Sequence, residues 1–180
     1  CTVVSSNTCY ANVILDKAVG PQRAIDTAKR LGLVHTSLQA NPAAVLGTNN
    51  ATVEDMASVY ATFANSGVHV EPTYVTSVTA RNGNVLYAHH PVQSKAIDPD
   101  VARNVTNILE QVVVRGTGKD AAIDRPAAGK TGSAQRNTDA WFCGYVPQLA
   151  TAVWVGFAQP RTDRSGHREL VSMTSPNTRI

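Results

Sequence analysis

The hydrophobic period of this chain changes after Gly116, and that change limits what it can fold into. Before it, apart from an alternating stretch at 74–88, apolar residues recur every three or four positions; beyond it the period is two. Residues 140–146 and 149–157 read as apolar strands joined only by Pro147-Gln148, and so short a connection makes them antiparallel. Residues 126–133 read as a shorter strand entered from a loop. Helices first and antiparallel strands later predict a mixed α and β (α+β) layered domain, not a doubly wound one. With 180 residues there is room for one domain and little more.

The helical part is punctuated clearly. Ser5-Ser6-Asn7-Thr8 reads as a polar turn or helix start ahead of Val13, Ile14 and Leu15. Pro21 opens a helix with the stripe Ala24, Ile25, Ala28 and Leu31, and Gly32 stops it. Residues 33–51 read as loop. Thr52 is placed to cap the next helix, whose expected core stripe is Val53, Met56, Ala57, Tyr60, Phe63 and Ala64. Residues 74–80 and 84–88 flank Asn82-Gly83 and predict a hairpin. Asp98-Pro99 starts a helix with Val101, Val105, Ile108, Leu109, Val112 and Val113 on its apolar side, closed at Arg115-Gly116. A polar tail occupies 159–180.

Composition removes several function classes. The net charge is +3 with no Lys/Arg run, so no nucleic-acid partner is expected. No apolar run approaches the roughly 18 residues of a membrane-crossing helix, and no signal peptide opens the chain. Cys1, Cys9 and Cys143 are odd in number and lack C-x-x-C spacing, so neither a disulfide framework nor a zinc site is indicated. Cys9 reads as a small, partly buried thiol. His35, His69, His89, His90 and His167 are scattered; no metal and no cofactor is expected.

Gly129-Lys130-Thr131 carries the chemistry. A phosphate-binding loop would need glycine at 124, which is Asp124, and Pro126 removes a backbone N–H from the cradle. The segment is strand-like besides, whereas a phosphate-binding loop must open a helix. The other reading is Lys-Thr-Gly on an edge strand beside a reacting serine, where an ammonium, hydroxyls and a closely approachable glycine suit an anionic substrate. Ser5-Ser6-Asn7 supplies an S-x-N triplet upstream, which also serves as a helix cap.

Together with residues 46–75 (LGTNNATVEDMASVYATFANSGVHVEPTYV), 82–87 (NGNVLY), 108–121 (ILEQVVVRGTGKDA) and 128–157 (AGKTGSAQRNTDAWFCGYVPQLATAVWVGF), these motifs resemble the transpeptidase domain of the class A high-molecular-weight penicillin-binding proteins. The resemblance runs from about residue 5 to 157. It implies the serine β-lactamase and D,D-peptidase fold, an antiparallel sheet flanked by helices. It also implies cross-linking of peptidoglycan by acyl transfer from a D-Ala-D-Ala stem peptide, and binding of β-lactams. Position by position, Ser5 resembles the hydroxyl that relays a proton near the leaving group, and Asn7 the amide that holds the substrate's peptide group. Lys130 resembles the cation that supports the relay and steers the carboxylate. Thr131 and Ser133 resemble the hydroxyls that bind the terminal carboxylate, with Gly132 between them giving close backbone approach. The Ser133 N–H resembles an oxyanion-hole donor, an interaction worth roughly 3–4 kcal/mol. Position 133 is more often Thr in the family, so retained binding with a slightly looser fit is expected.

One departure outweighs the others. No serine in the chain has lysine three residues on, so the family's S-x-x-K nucleophile is absent. The resemblance implies a partial domain over 1–180, incomplete at both ends, with S-x-N at 5–7, a helical part to about 125 and a K-T-G sheet part over about 126–158. The nucleophile, a glycosyltransferase domain and a membrane anchor are expected upstream, with the site on the extracytoplasmic face of a bacterial cytoplasmic membrane. The 180 residues alone are expected to be inactive and poorly stable, because apolar faces of that fold would stay uncovered. Two alternatives use the same fold: a non-catalytic module holding β-lactam or stem peptide, and a serine β-lactamase. Asp139 reads as a turn carboxylate, and Trp141 and Trp154 as sheet-face residues; the glycine-rich turn at 115–118 could line the acyl-donor groove, but a helix stop is the simpler account.

Overall fold

The computed structural model describes residues 1–162, 166 and 168–173. Four helices precede the main sheet: α1 (Asn7–Leu15), α2 (Pro21–Leu31), α3 (Val53–Ala64) and α4 (Pro99–Arg115). Each starts where its cap residue sits. Ser6 Oγ accepts the Cys9 N–H at 3.3 Å, Thr52 Oγ1 the Asp55 N–H at 3.0 Å, and Asp98 the Asp100 N–H at 3.0 Å. Pro21 opens α2, and Gly32 ends it at φ 117°, a left-handed value that glycine adopts without strain. A single 3₁₀ turn, Pro42–Leu46, interrupts the expected loop over 33–51.

Four short strands lie between α3 and α4. β1 (Val68–Val70) and β4 (Gln93–Lys95) pair antiparallel and enclose the hairpin of β2 (Ser77–Thr79) and β3 (Val85–Ala88). The hairpin forms about Asn82-Gly83, but β2 and β3 are exposed on both faces. Three-residue strands such as β1 and β4 carry too little alternation to stand out in the sequence.

The main sheet is β5 (Ala128–Ser133), β6 (Asp139–Val146) and β7 (Leu149–Gly156), in the order β5-β6-β7 and antiparallel throughout. α3 and α4 lie against one face of it. Leu109, Val112, Ala128 and Tyr145 are buried together there, with Tyr60, Phe63, Val105 and Ala150 packed around them. Thr106 Oγ1 donates to Ala102 O, so the Tyr145 hydroxyl 2.7 Å away donates to Thr106. Burial at this face pushes the Cys143 thiol up to about 11. The opposite face carries Leu149, Val153 and Val155, which are 64%, 48% and 55% exposed. β8 (Arg161–Thr162) and β9 (Arg168–Glu169) form a two-residue ladder within the expected polar tail. The rest of that tail, with His167, lies outside the described residues.

Two expected core stripes need correction. On α3 the deeply buried residues are Asp55, Ser58 and Thr62, not the apolar stripe, of which Val53 is exposed. Positions 55, 58 and 62 share a second helical face, turned toward the end of α2 and the segment after it, where backbone groups satisfy Asp55 and Thr62, while the buried Ser58 Oγ has no hydrogen-bond partner among the described residues. Asp55 accepts the Val34 N–H at 3.4 Å and the His35 N–H at 3.1 Å, and Thr62 Oγ1 donates to Leu31 O at 2.8 Å. Tyr60 and Phe63 meanwhile reach the sheet, so α3 is lined on both sides. On α4, Val101 and Ile108 are 49% and 47% exposed, because the face toward β5 runs through Ala102, Leu109, Val112 and Val113.

Candidate functional site

β5 is an edge strand, so side chains from both of its faces can reach around the same open edge. Lys130 and Gly132 belong to the face shared with Cys143 and Trp141, whereas Thr131 and Ser133 belong to the face shared with Phe142 and Ala140. The strand is seated by two facing glycines. Gly129 pairs with Gly144, and a Cβ at either would come within 2.7 Å of the Phe142 ring. Phe142 therefore lies across both, beside the K-T-G residues.

The sequence-predicted residues meet in part. The Lys130 ammonium donates to Ser5 Oγ at 2.8 Å and to Thr131 O at 2.8 Å, joining residues 125 positions apart. Ser5 lies in the turn before α1 at φ 50°, a left-handed conformation costing a non-glycine residue about 1–3 kcal/mol. That turn is closed by a disulfide between Cys1 and Cys9, with Cα atoms 5.4 Å apart. The odd cysteine count concealed this pair, and Cys9 is no free thiol; Cys143 is the buried free one. Asn7 is exposed at the first position of α1, and Gly132 and Ser133 at the open end of β5. Neither Asn7 nor Ser133 makes a side-chain hydrogen bond among the described residues.

Burial lowers the Lys130 pKa from its ordinary value, which eases loss of its proton. Because the ammonium occupies a lone pair of Ser5 Oγ, the Ser5 hydroxyl keeps its own proton free to donate elsewhere. A proton leaving Ser5 is replaceable from Lys130, which is the arithmetic of a relay.

Thr117, just after α4, belongs to the same neighbourhood. Its hydroxyl lies 2.7 Å from Thr131 Oγ1. In the sequence the 115–118 segment is a glycine-rich turn, most simply a helix stop and otherwise a lining of the acyl-donor groove; no local pattern signals the contact with Thr131, 14 residues away. Asp139 is structural, as expected: it accepts from Trp154 Nε1 at 2.8 Å and from Thr138 Oγ1 at 3.0 Å. The paired rings of Trp141 and Trp154 lie 6.5 Å apart.

Known proteins share this arrangement of chain. The family model described as penicillin binding protein transpeptidase domain matches residues 3–168. Penicillin-binding protein 1A of Mycobacterium tuberculosis is 37% identical over 85% of this chain and 21% of its own length. Its namesake from Neisseria gonorrhoeae is 32% identical over 94% of this chain and 22% of its own length. This chain thus spans about a fifth of the curated relatives it matches. The structure of PonA1 from Mycobacterium tuberculosis in complex with penicillin V aligns with TM-score 0.75 at 34% identity, over 92% of this chain and 49% of that one. Penicillin-binding protein 1A from Haemophilus influenzae shares the fold, with TM-score 0.79 at 22% identity over 87% of this chain and 29% of that one. With mixed helices and an antiparallel sheet, and a family match over most of its length, the chain belongs to the penicillin binding protein transpeptidase domain family.

Proposed function

We propose that this chain supplies the substrate-recognition and proton-relay part of a peptidoglycan D,D-transpeptidase, working through an acyl-serine whose nucleophile lies on polypeptide upstream of residue 1. The observation that carries the reading is the Lys130–Ser5 contact at 2.8 Å. It joins the first residue of K-T-G to the first residue of S-x-N, which nothing in local structure requires. Ser5 passes a proton toward the leaving amine of a D-Ala-D-Ala stem peptide, and Lys130 restores it. Asn7 holds the substrate's peptide group. Thr131 and Ser133 bind the terminal carboxylate, Gly132 lets the strand backbone come close, and the Ser133 N–H faces the developing oxyanion.

β-Lactams enter the same site as acylating substrates. No cofactor takes part in these roles. The Cys1–Cys9 disulfide suits an oxidising compartment, in keeping with a site on the extracytoplasmic side of a bacterial membrane. An upstream anchor and glycosyltransferase domain complete the proposed protein.

The test is covalent labelling with a fluorescent penicillin, applied to the 180 residues and to the same chain extended upstream through the family's S-x-x-K. Labelling of the long form alone, mapped to a serine three residues before a lysine, is expected. In that form Lys130→Ala is expected to slow labelling at least about a hundredfold, the usual scale of acid–base assistance. The alternative reading is a module that holds β-lactam or stem peptide without turnover. A folded long form that holds penicillin reversibly and is never acylated would establish it.

A further inference from the structure

The 115–118 turn does more than end α4. The Thr117 hydroxyl lies 2.7 Å from Thr131 Oγ1, and the Thr117 N–H donates to Val3 O at 3.2 Å, two residues ahead of Ser5. One residue therefore touches both walls of the cleft: the K-T-G strand through its side chain and the S-x-N segment through its backbone. Gly116 permits the approach. A Cβ there would collide with Val3 O and come within 2.8 Å of Val112 Cα, so the turn can rest on the N-terminal segment only without a side chain at 116.

Two hydroxyls at this separation share one proton and leave the other free. Which of them donates decides what Thr131 can offer a ligand. When Thr117 donates, Thr131 keeps its proton for an outside acceptor. A carboxylate only accepts, so its arrival selects that orientation, and the chain of donors strengthens the bond to the anion.

Resting on the acyl-transfer reading above, we propose that Thr117 is a positioning residue for the substrate's terminal carboxylate. It donates to Thr131 Oγ1 so that the Thr131 proton turns toward the anion, and it holds that strand against the segment bearing Ser5. Thr117 itself needs no contact with substrate.

The test uses the full polypeptide that carries this sequence and two acylating probes, a fluorescent penicillin with a free carboxylate and its methyl ester. Thr117→Val is expected to slow acylation by the free acid about tenfold, the scale of one hydrogen bond to a charged group, while the ester changes less than about twofold. Thr117→Ser restores the hydroxyl and the rate. Thr117→Ala, which adds no bulk to the turn, repeats the test independently. Thr131→Val slows the free acid at least as much, and combining it with Thr117→Val adds nothing further, because the first residue acts through the second. If Thr117→Val and Thr117→Ala slow acid and ester alike, the residue is merely structural and the proposal falls. Additive effects of the two substitutions overturn it as well. A wild type that neither probe acylates overturns the acyl-serine reading, and this inference with it; a wild type that labels isolates any failure to Thr117.

Discussion

The two halves of the molecule are held by different means. From α3 onward, an apolar cluster around Leu109, Val112, Ala128 and Tyr145 closes the structure. Ahead of α3, the buried apolar residues are Ile14, Ile25 and Leu31, and much of the attachment is polar or covalent. Asp55 takes two backbone N–H groups and the His35 ring, Arg30 reaches Ala96 O, and Cys1 is bonded to Cys9. Lys130 rides on the first kind of structure and Ser5 on the second. Apolar packing is non-directional and distributed over many atoms, whereas a hydrogen bond is lost with one atom. The strand wall of the cleft is therefore set by bulk packing, and the Ser5 wall by a few bonds that single substitutions can remove.

The largest expected effect tests the packed half. Leu109→Ala should destabilise the whole molecule by about 2–5 kcal/mol, the range for emptying a core leucine site, measured by denaturant unfolding. A loss confined to residues after α3 would break the comparison, since that core is then no global support.

Asp55→Ala comes next, at about 1–3 kcal/mol, because it empties a buried site and takes the acceptor from the Val34 and His35 N–H groups. Its signature should be local: amide exchange at Val34 and His35 accelerates before that of β6. Acidity sharpens the same point. The hydrogen bond to Asp55, 2.6 Å from His35 Nδ1, raises the histidine above its ordinary 6.5. A group whose pKa is raised on folding contributes stability fully below its unfolded value and loses it as pH rises through the folded one. Melting temperature should accordingly fall as pH is raised from below 6.5 through the higher folded value. His35→Gln should flatten that slope, and an unchanged slope would remove the His35 tie from the comparison.

A smaller effect separates Ser5's conformation from its chemistry. Ser5→Gly should be about 1 kcal/mol more stable than Ser5→Ala, because only glycine takes φ 50° freely, while both lose the Lys130 contact. Equal stabilities would mean that the turn relaxes when the hydroxyl is gone. The smallest effect belongs to the open sheet face, where Val153→Thr should shift stability by less than about 0.5 kcal/mol.

What the sequence disclosed follows the same division. α2 and α4 were legible because Pro21, Gly32 and Asp98-Pro99 state their limits in adjacent residues. β5, β6 and β7 were legible because a two-residue connection and alternating apolar positions leave one arrangement. The buried face of α3 was not, because Asp55, Ser58 and Thr62 find their partners on distant segments, and periodicity records only apolar demand. Lys130 and Ser5 were each visible as motif residues, and their meeting is tertiary. The Cys1–Cys9 bond, the Ser5 backbone and the Thr117 contact left no local trace, since each is a relation between residues rather than a property of one.

The glycine pair under Phe142 has a consequence for how the site can fail. Sliding β5 by one position along β6 would exchange the sides of Lys130 and Thr131, sending the ammonium where the hydroxyl belongs. Such a slip would also push the side chain of Ala128 or Lys130 into space that the ring occupies, because only positions 129 and 144 leave it room. Phe142 thus acts as an alignment key, admitting one seating of the strand and rejecting its neighbours. The cleft's charge pattern is decided during folding, by a ring and two absent methyl groups, before any ligand is met.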